Sequence, residues 1–138
     1  MANTTTFSLT ELPQAAQSLL DYADDRRIWM FIGEIGAGKT TLIQSLCKIL
    51  GIEEAVTSPT FSLVNEYLDD NGQSVYHLDL YRLKSEAEAI NMGIEDYLYS
   101  DAYSFIEWPQ IIDNLLPEDV IRINLSVVDD STRKMVFL

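Results

Sequence analysis

An unbroken apolar run, Ile28-Trp29-Met30-Phe31-Ile32, predicts a strand buried on both faces of a sheet. Ten residues on, the pattern changes period. Leu42, Ile43, Leu46, Cys47, Ile49 and Leu50 recur at spacings near 3.6, and Gly51 supplies a stop, so a one-sided helix follows. Upstream, Leu12, Ala16, Leu19, Leu20 and Ala23 mark another helical face, with Thr10 as its cap and Pro13 in its opening turn. Residues 61–68 and 73–80 read as strands, and Asp69-Asp70-Asn71-Gly72 between them is a hairpin turn. Residues 85–90 and 94–99 read as helices separated by Gly93. A strand over 102–106 ends at Glu107, and 109–116 is a helical turn closed by Pro117. Residues 120–128 and 134–138 are strands around an Asp129-Asp130-Ser131 turn, while the polar lead-in 1–6 is expected to be loosely held.

This alternation of strands and helices predicts an α/β fold. If the strand after the hairpin runs parallel to residues 28–32, its hairpin partner runs antiparallel, so the central sheet is mixed. A chain of 138 residues with 47% hydrophobic content is expected to form a single domain, 1–138, with a real core. No apolar run reaches the length of a membrane span and no secretory segment opens the chain, so no membrane association is expected. Cys47 is the only cysteine and lies on an apolar helix face. That points to core packing and fits a reducing cytoplasm. The net charge of −13 argues against unaided binding to DNA or RNA and leaves a basic protein surface as a possible partner.

The chemistry concentrates between the first apolar strand and its helix. Gly33-Glu34-Ile35-Gly36-Ala37-Gly38-Lys39-Thr40 fits the phosphate-binding pattern G-x-x-x-x-G-K-[ST] at every fixed position, in the strand–loop–helix context that the pattern needs. Glycines let successive N–H groups point at one anion, and the helix starting near Lys39 adds its positive end. Lys39 is the candidate for the β and γ phosphates of ATP, and the Thr40 hydroxyl for Mg²⁺. Such a site also needs a carboxylate at the end of a neighbouring strand. Asp79 and Glu107 both qualify, and spacing does not rank them. His77, the only histidine, shares a strand face with Asp79 and is a further candidate for directing water. Val56-Thr57-Ser58-Pro59-Thr60-Phe61 offers three hydroxyls, Thr57, Ser58 and Thr60, where nucleotide switches sense a γ-phosphate.

Taken in order, the 33–40 loop, the T-S-P-T-F segment, His77-Leu78-Asp79-Leu80-Tyr81-Arg82-Leu83 and Glu107-Trp108-Pro109 resemble the TsaE (YjeE) family. This is the small bacterial P-loop ATPase of tRNA threonylcarbamoyladenosine biosynthesis, and the resemblance covers nearly the whole chain. It implies a P-loop NTPase fold of three α/β/α layers, in which Gly36, Ala37, Gly38, Lys39, Thr40 and Thr41 wrap the phosphates. Thr40 and Glu107 would hold Mg²⁺, Asp79 would be the essential acid, and Thr57, Ser58 and Thr60 would move with nucleotide state. Trp108 would sit near the nucleotide, Arg133 beside it, and Thr10 near the base. The family's partners, TsaB and TsaD, would carry the transfer chemistry and most tRNA contacts, in the cytoplasm.

Three residue types stand outside that scheme. Trp29 is expected in the core, Arg82 to pair with an acid such as Glu86, and Tyr97, Tyr99 and Tyr103 to form an aromatic cluster. A small-molecule kinase or a nucleotide-gated binding module with negligible turnover would use the same loop. The first usually needs more arginines than the five present. A GTPase is disfavoured by the absence of an N-K-x-D or T-K-x-D sequence.

Overall fold

The computed structural model describes residues 2–59 and 63–138. Among these residues seven strands form one sheet: β1 (Asn3–Ser8), β2 (Ile28–Ile32), β3 (Val64–Leu68), β4 (Ser74–Asp79), β5 (Tyr103–Glu107), β6 (Ile121–Asp129) and β7 (Thr132–Phe137). Their spatial order is β1-β7-β6-β2-β5-β4-β3. The central strands β6, β2, β5 and β4 run parallel, while β3 and β7 run antiparallel to their neighbours β4 and β6. The sheet is therefore mixed, as the hairpin requires.

Strand alternation divides the core in two. Trp29 and Phe31 point to one face with Phe105, Ile121 and Ile123, where helices α1 (Leu12–Ala23) and α2 (Lys39–Ile49) cover them with Ala16, Leu19, Leu42, Ile43 and Leu46. Ile28 and Met30 point to the other face with Leu78 and Ile106. There α3 (Glu86–Asn91), α4 (Ile94–Leu98) and the 3₁₀ segment Pro109–Leu115 contribute Ala89, Ile94 and Ile112. The result is a three-layer α/β/α P-loop fold. Because β2 is covered on both faces, its sequence is apolar without alternation. Trp29 and Cys47 are fully buried in the first layer, and burial pushes the Cys47 thiol up to about 12.

The hairpin forms for a local reason. The Asp69 carboxylate accepts from the backbone N–H groups of Asn71 and Gln73, each at 2.9 Å, and Gly72 takes the left-handed conformation. Ser85 caps α3 by accepting from the Glu88 N–H at 3.2 Å.

The structure corrects three expectations. The lead-in is not loose along its length, because Asn3 to Ser8 pair antiparallel with β7. The first helical segment is capped by Ser8 and not Thr10. Glu11 returns a carboxylate to the Ser8 N–H at 2.9 Å, closing a capping box over the 3₁₀ turn Leu9–Glu11 that precedes α1. The three tyrosines do not cluster. Tyr97 meets Tyr76 edge-on at 4.8 Å, Tyr103 packs on Trp29, and Tyr99 is exposed.

Candidate functional site

Three parallel strands, β2, β5 and β4, end on one side of the sheet, where the loop from Gly33 to Gly38 turns into α2. The loop's shape depends on glycine at specific places. Gly36 and Gly38 have φ of +86° and +102°, a region that L side chains enter at a cost. At Gly33 the limit is space, since a Cβ there would stand 2.8 Å from the Leu125 carbonyl oxygen of β6.

Beside the loop lies an open cavity of about 440 Å³. Ile35, Gly36, Ala37, Gly38, Lys39, Thr40 and Thr41 line it together with Asp79, Glu107, Trp108 and Arg133. Within the 33–41 stretch, Gly33 and Glu34 stay out of that lining. They act beneath it: the Lys39 ammonium donates to the Gly33 carbonyl and, at 3.5 Å, to that of Glu34. The same ammonium lies 3.8 Å from the centre of the Trp108 ring. Burial lowers the Lys39 pKa from its ordinary value, opposed by the carboxylates of Glu107 and Asp79.

Asp79 and Glu107 are paired across β4 and β5 in parallel register. Register thus brings both candidate acids to one place, which spacing along the chain does not reveal. Glu107 is buried. Its Oε2 accepts from the Thr40 hydroxyl at 2.9 Å and from His77 Nε2 at 2.7 Å. The Thr40 hydroxyl also meets the Ser58 hydroxyl at 2.9 Å. Asp79 accepts from the Tyr81 N–H at 3.1 Å. Its pKa is raised chiefly by burial and further by the Glu107 charge, while the Tyr81 hydrogen bond and the Lys39 charge lower it. Trp108 follows Glu107 in a left-handed conformation, φ +55°, which is strained for a bulky residue. This bend delivers the ring to Lys39 and, at 4.9 Å, to the Tyr81 ring.

The remaining candidates are placed less centrally. Thr57 turns its backbone to β3, where its N–H donates to the Tyr67 hydroxyl and its carbonyl accepts from Asn65. Thr60 lies outside the described residues. Arg133 donates Nη1 to the carbonyls of Asp129 and Thr132, and its Nε, buried beside Gly38, has no hydrogen-bond partner among the described residues. Thr10 does not line the cavity. Its hydroxyl is bonded to that of Ser8 at 2.9 Å within the helix cap. The cavity wall contains Phe7, Leu9, Tyr81 and Leu125, none of which was assigned to the site from sequence. Tyr81 was within reach, inside the H-x-D-L-Y-R motif. Phe7 stands directly after the segment 1–6 read as a polar lead-in and was given no role.

The oxygen donors Thr40, Ser58 and Glu107 suit a hard cation such as Mg²⁺. Among the described residues no three His, Cys, Asp or Glu side chains gather to hold a metal unaided.

The model of the family described as "Threonylcarbamoyl adenosine biosynthesis protein TsaE" matches residues 6–135. The chain belongs to the TsaE family. A TsaE protein of Haemophilus influenzae is 39% identical over 84% of this chain and 73% of its own length. That of Bacillus subtilis is 34% identical over 76% of this chain and 65% of its own. A crystal structure of Bacillus subtilis YdiB superposes with a TM-score of 0.75 at 25% identity, covering 99% of this chain and 86% of that one. Both TsaE relatives are named as tRNA threonylcarbamoyladenosine biosynthesis proteins, and the family's role lies in that pathway. No helix among the described residues is long and apolar enough to cross a membrane.

Proposed function

We propose that this TsaE chain hydrolyses ATP with Mg²⁺ and serves, with TsaB and TsaD, as the nucleotide-driven subunit of tRNA threonylcarbamoyladenosine synthesis in the cytoplasm. The observation that carries the reading is the meeting of Thr40, Ser58 and Glu107 beside a glycine-formed loop whose lysine is held ready. Gly36 to Thr41 would bind the phosphates through backbone N–H groups at the start of α2. Lys39 would leave the Trp108 face for the β and γ phosphates. Thr40 and Glu107, with Ser58 adjacent, would hold Mg²⁺, which neutralises charge gathering on the phosphates when bound. Asp79, with its raised pKa, is the group suited to orient the attacking water. Arg133 offers a buried guanidinium nitrogen on the cavity side of Gly38. The chain's charge of −13 favours docking on protein and leaves tRNA contacts mainly to the partners, with no role for DNA.

The test is ATP turnover by the purified chain, alone and with TsaB and TsaD, using Lys39→Ala as the blank. Slow turnover that rises with the pair and disappears in the blank is expected. Fast turnover indifferent to the pair would point to a self-contained enzyme with its own acceptor.

A further inference from the structure

His77 is fully buried on β4, opposite Phe105 in register, and does not line the cavity. Its Nε2 lies 2.7 Å from the same Glu107 oxygen that takes the Thr40 hydroxyl, and its Nδ1 has no hydrogen-bond partner among the described residues. A carboxylate paired with a ring nitrogen requires that nitrogen to carry the proton. A second proton on Nδ1 would be a buried donor with no acceptor among the described residues, which is unfavourable. The neutral Nε2–H tautomer avoids that cost, leaving only a bare lone pair on Nδ1. In this tautomer the nitrogen near the site is already protonated, and the basic one is sealed in the core. The ring is therefore unsuited to be the base that activates water, and Asp79 keeps that place.

A glutamate side chain has three torsions to fix, and fixing them costs rotamer entropy. We propose that His77 is a positioning residue, whose Nε2–H holds Glu107 turned toward the Thr40 hydroxyl in readiness for a divalent cation. The inference rests on the ATPase reading of this site. Partners of this kind, one bond behind a metal ligand, typically govern about 10- to 100-fold in metal affinity.

Two measurements test it. The first is calorimetry of ADP binding to the full chain, without Mg²⁺ and across a Mg²⁺ titration, for wild type, His77→Phe and His77→Gln, with thermal melts to establish folding. In His77→Phe the Mg²⁺ needed for half the metal-dependent gain should rise ~10- to 100-fold while metal-free ADP affinity stays unchanged. His77→Gln, which restores an N–H donor at similar reach, should recover most of the loss. A folded His77→Phe with unchanged Mg²⁺ dependence would overturn the proposal. The second measurement needs no variant and no ligand. As His77 is the only histidine, ¹⁵N correlation spectra of the free protein report its ring directly. A neutral Nε2–H pattern is expected, and a neutral Nδ1–H pattern would overturn the clamp even if neither variant folds. Absence of ADP binding by wild type would instead count against the ATPase reading, with the ring spectrum still deciding the clamp.

Discussion

Replacing Lys39 by methionine keeps most of the stem and removes the charge, so its cost can be worked from the contacts around the ammonium. In the free protein Lys39 donates to the Gly33 and Glu34 carbonyls and sits 3.8 Å from the Trp108 ring centre. Two charge-assisted hydrogen bonds to phosphate would contribute about 3–6 kcal/mol in total. Part of that is offset, because the Trp108 contact, about 0.5–2 kcal/mol, is surrendered when the ammonium moves. The net loss in Lys39→Met should then be about 1–5.5 kcal/mol, or roughly 5- to 10⁴-fold in ATP affinity. Calorimetric titration with a slowly hydrolysed ATP analogue, at fixed Mg²⁺ and ionic strength, measures it. The fold should survive, since the change also removes a partly desolvated cation from beneath the loop. A melt within a few degrees of wild type combined with affinity within threefold would refute the reasoning, because the loop would then bind phosphate without its lysine.

Other predictions follow from single features. Asp79→Asn should keep ATP binding but lower hydrolysis by about 10²–10⁴-fold, read by phosphate release, because the carboxylate suited to orient water is gone. Gly33→Ala should lower stability by about 1–3 kcal/mol in urea unfolding, because its Cβ meets the Leu125 carbonyl oxygen at 2.8 Å and the Ala37 Cβ at 3.1 Å. Cys47 should resist thiol reagents at pH 8 until the chain is unfolded. Its thiol ionises near 9.0 when exposed and near 12 when folded, so between those values the folded state holds the extra proton. Stability should therefore fall as pH rises through that window, by about 1.4 kcal/mol per unit, and Cys47→Ala should remove that slope after allowance for its lost packing.

Much of the architecture was legible because it is written locally. The apolar run of β2 specifies burial on both faces, the 3.6-residue period specifies α2, and Asp69 with Gly72 specifies the hairpin from within a few residues. The glycine pattern of residues 33–40 belongs to the same class, since the conformations of Gly36 and Gly38 are properties of the loop itself. Asp79 and Glu107 could be proposed for the same reason, as acids at predicted strand ends.

What the sequence could not order was anything requiring two distant segments to meet. The Thr40–Glu107 bond spans 67 residues and the His77–Glu107 bond 30, and both exist because β4 and β5 lie in parallel register beside the loop. The polar lead-in became part of β1 only because β7 offers it an antiparallel edge, and that pairing includes Phe7, which lines the cavity, and leads directly to Leu9, which also lines it. Thr10 gave way to Ser8 as a cap through the Glu11 side chain, a local competition that the identity of the hydroxyls alone did not decide. Sequence thus determined the elements and the chemical groups, whose conformational preferences act over a few residues. Tertiary structure determined which groups face one another, because sheet register fixes distance and orientation between parts of the chain that carry no local trace of each other.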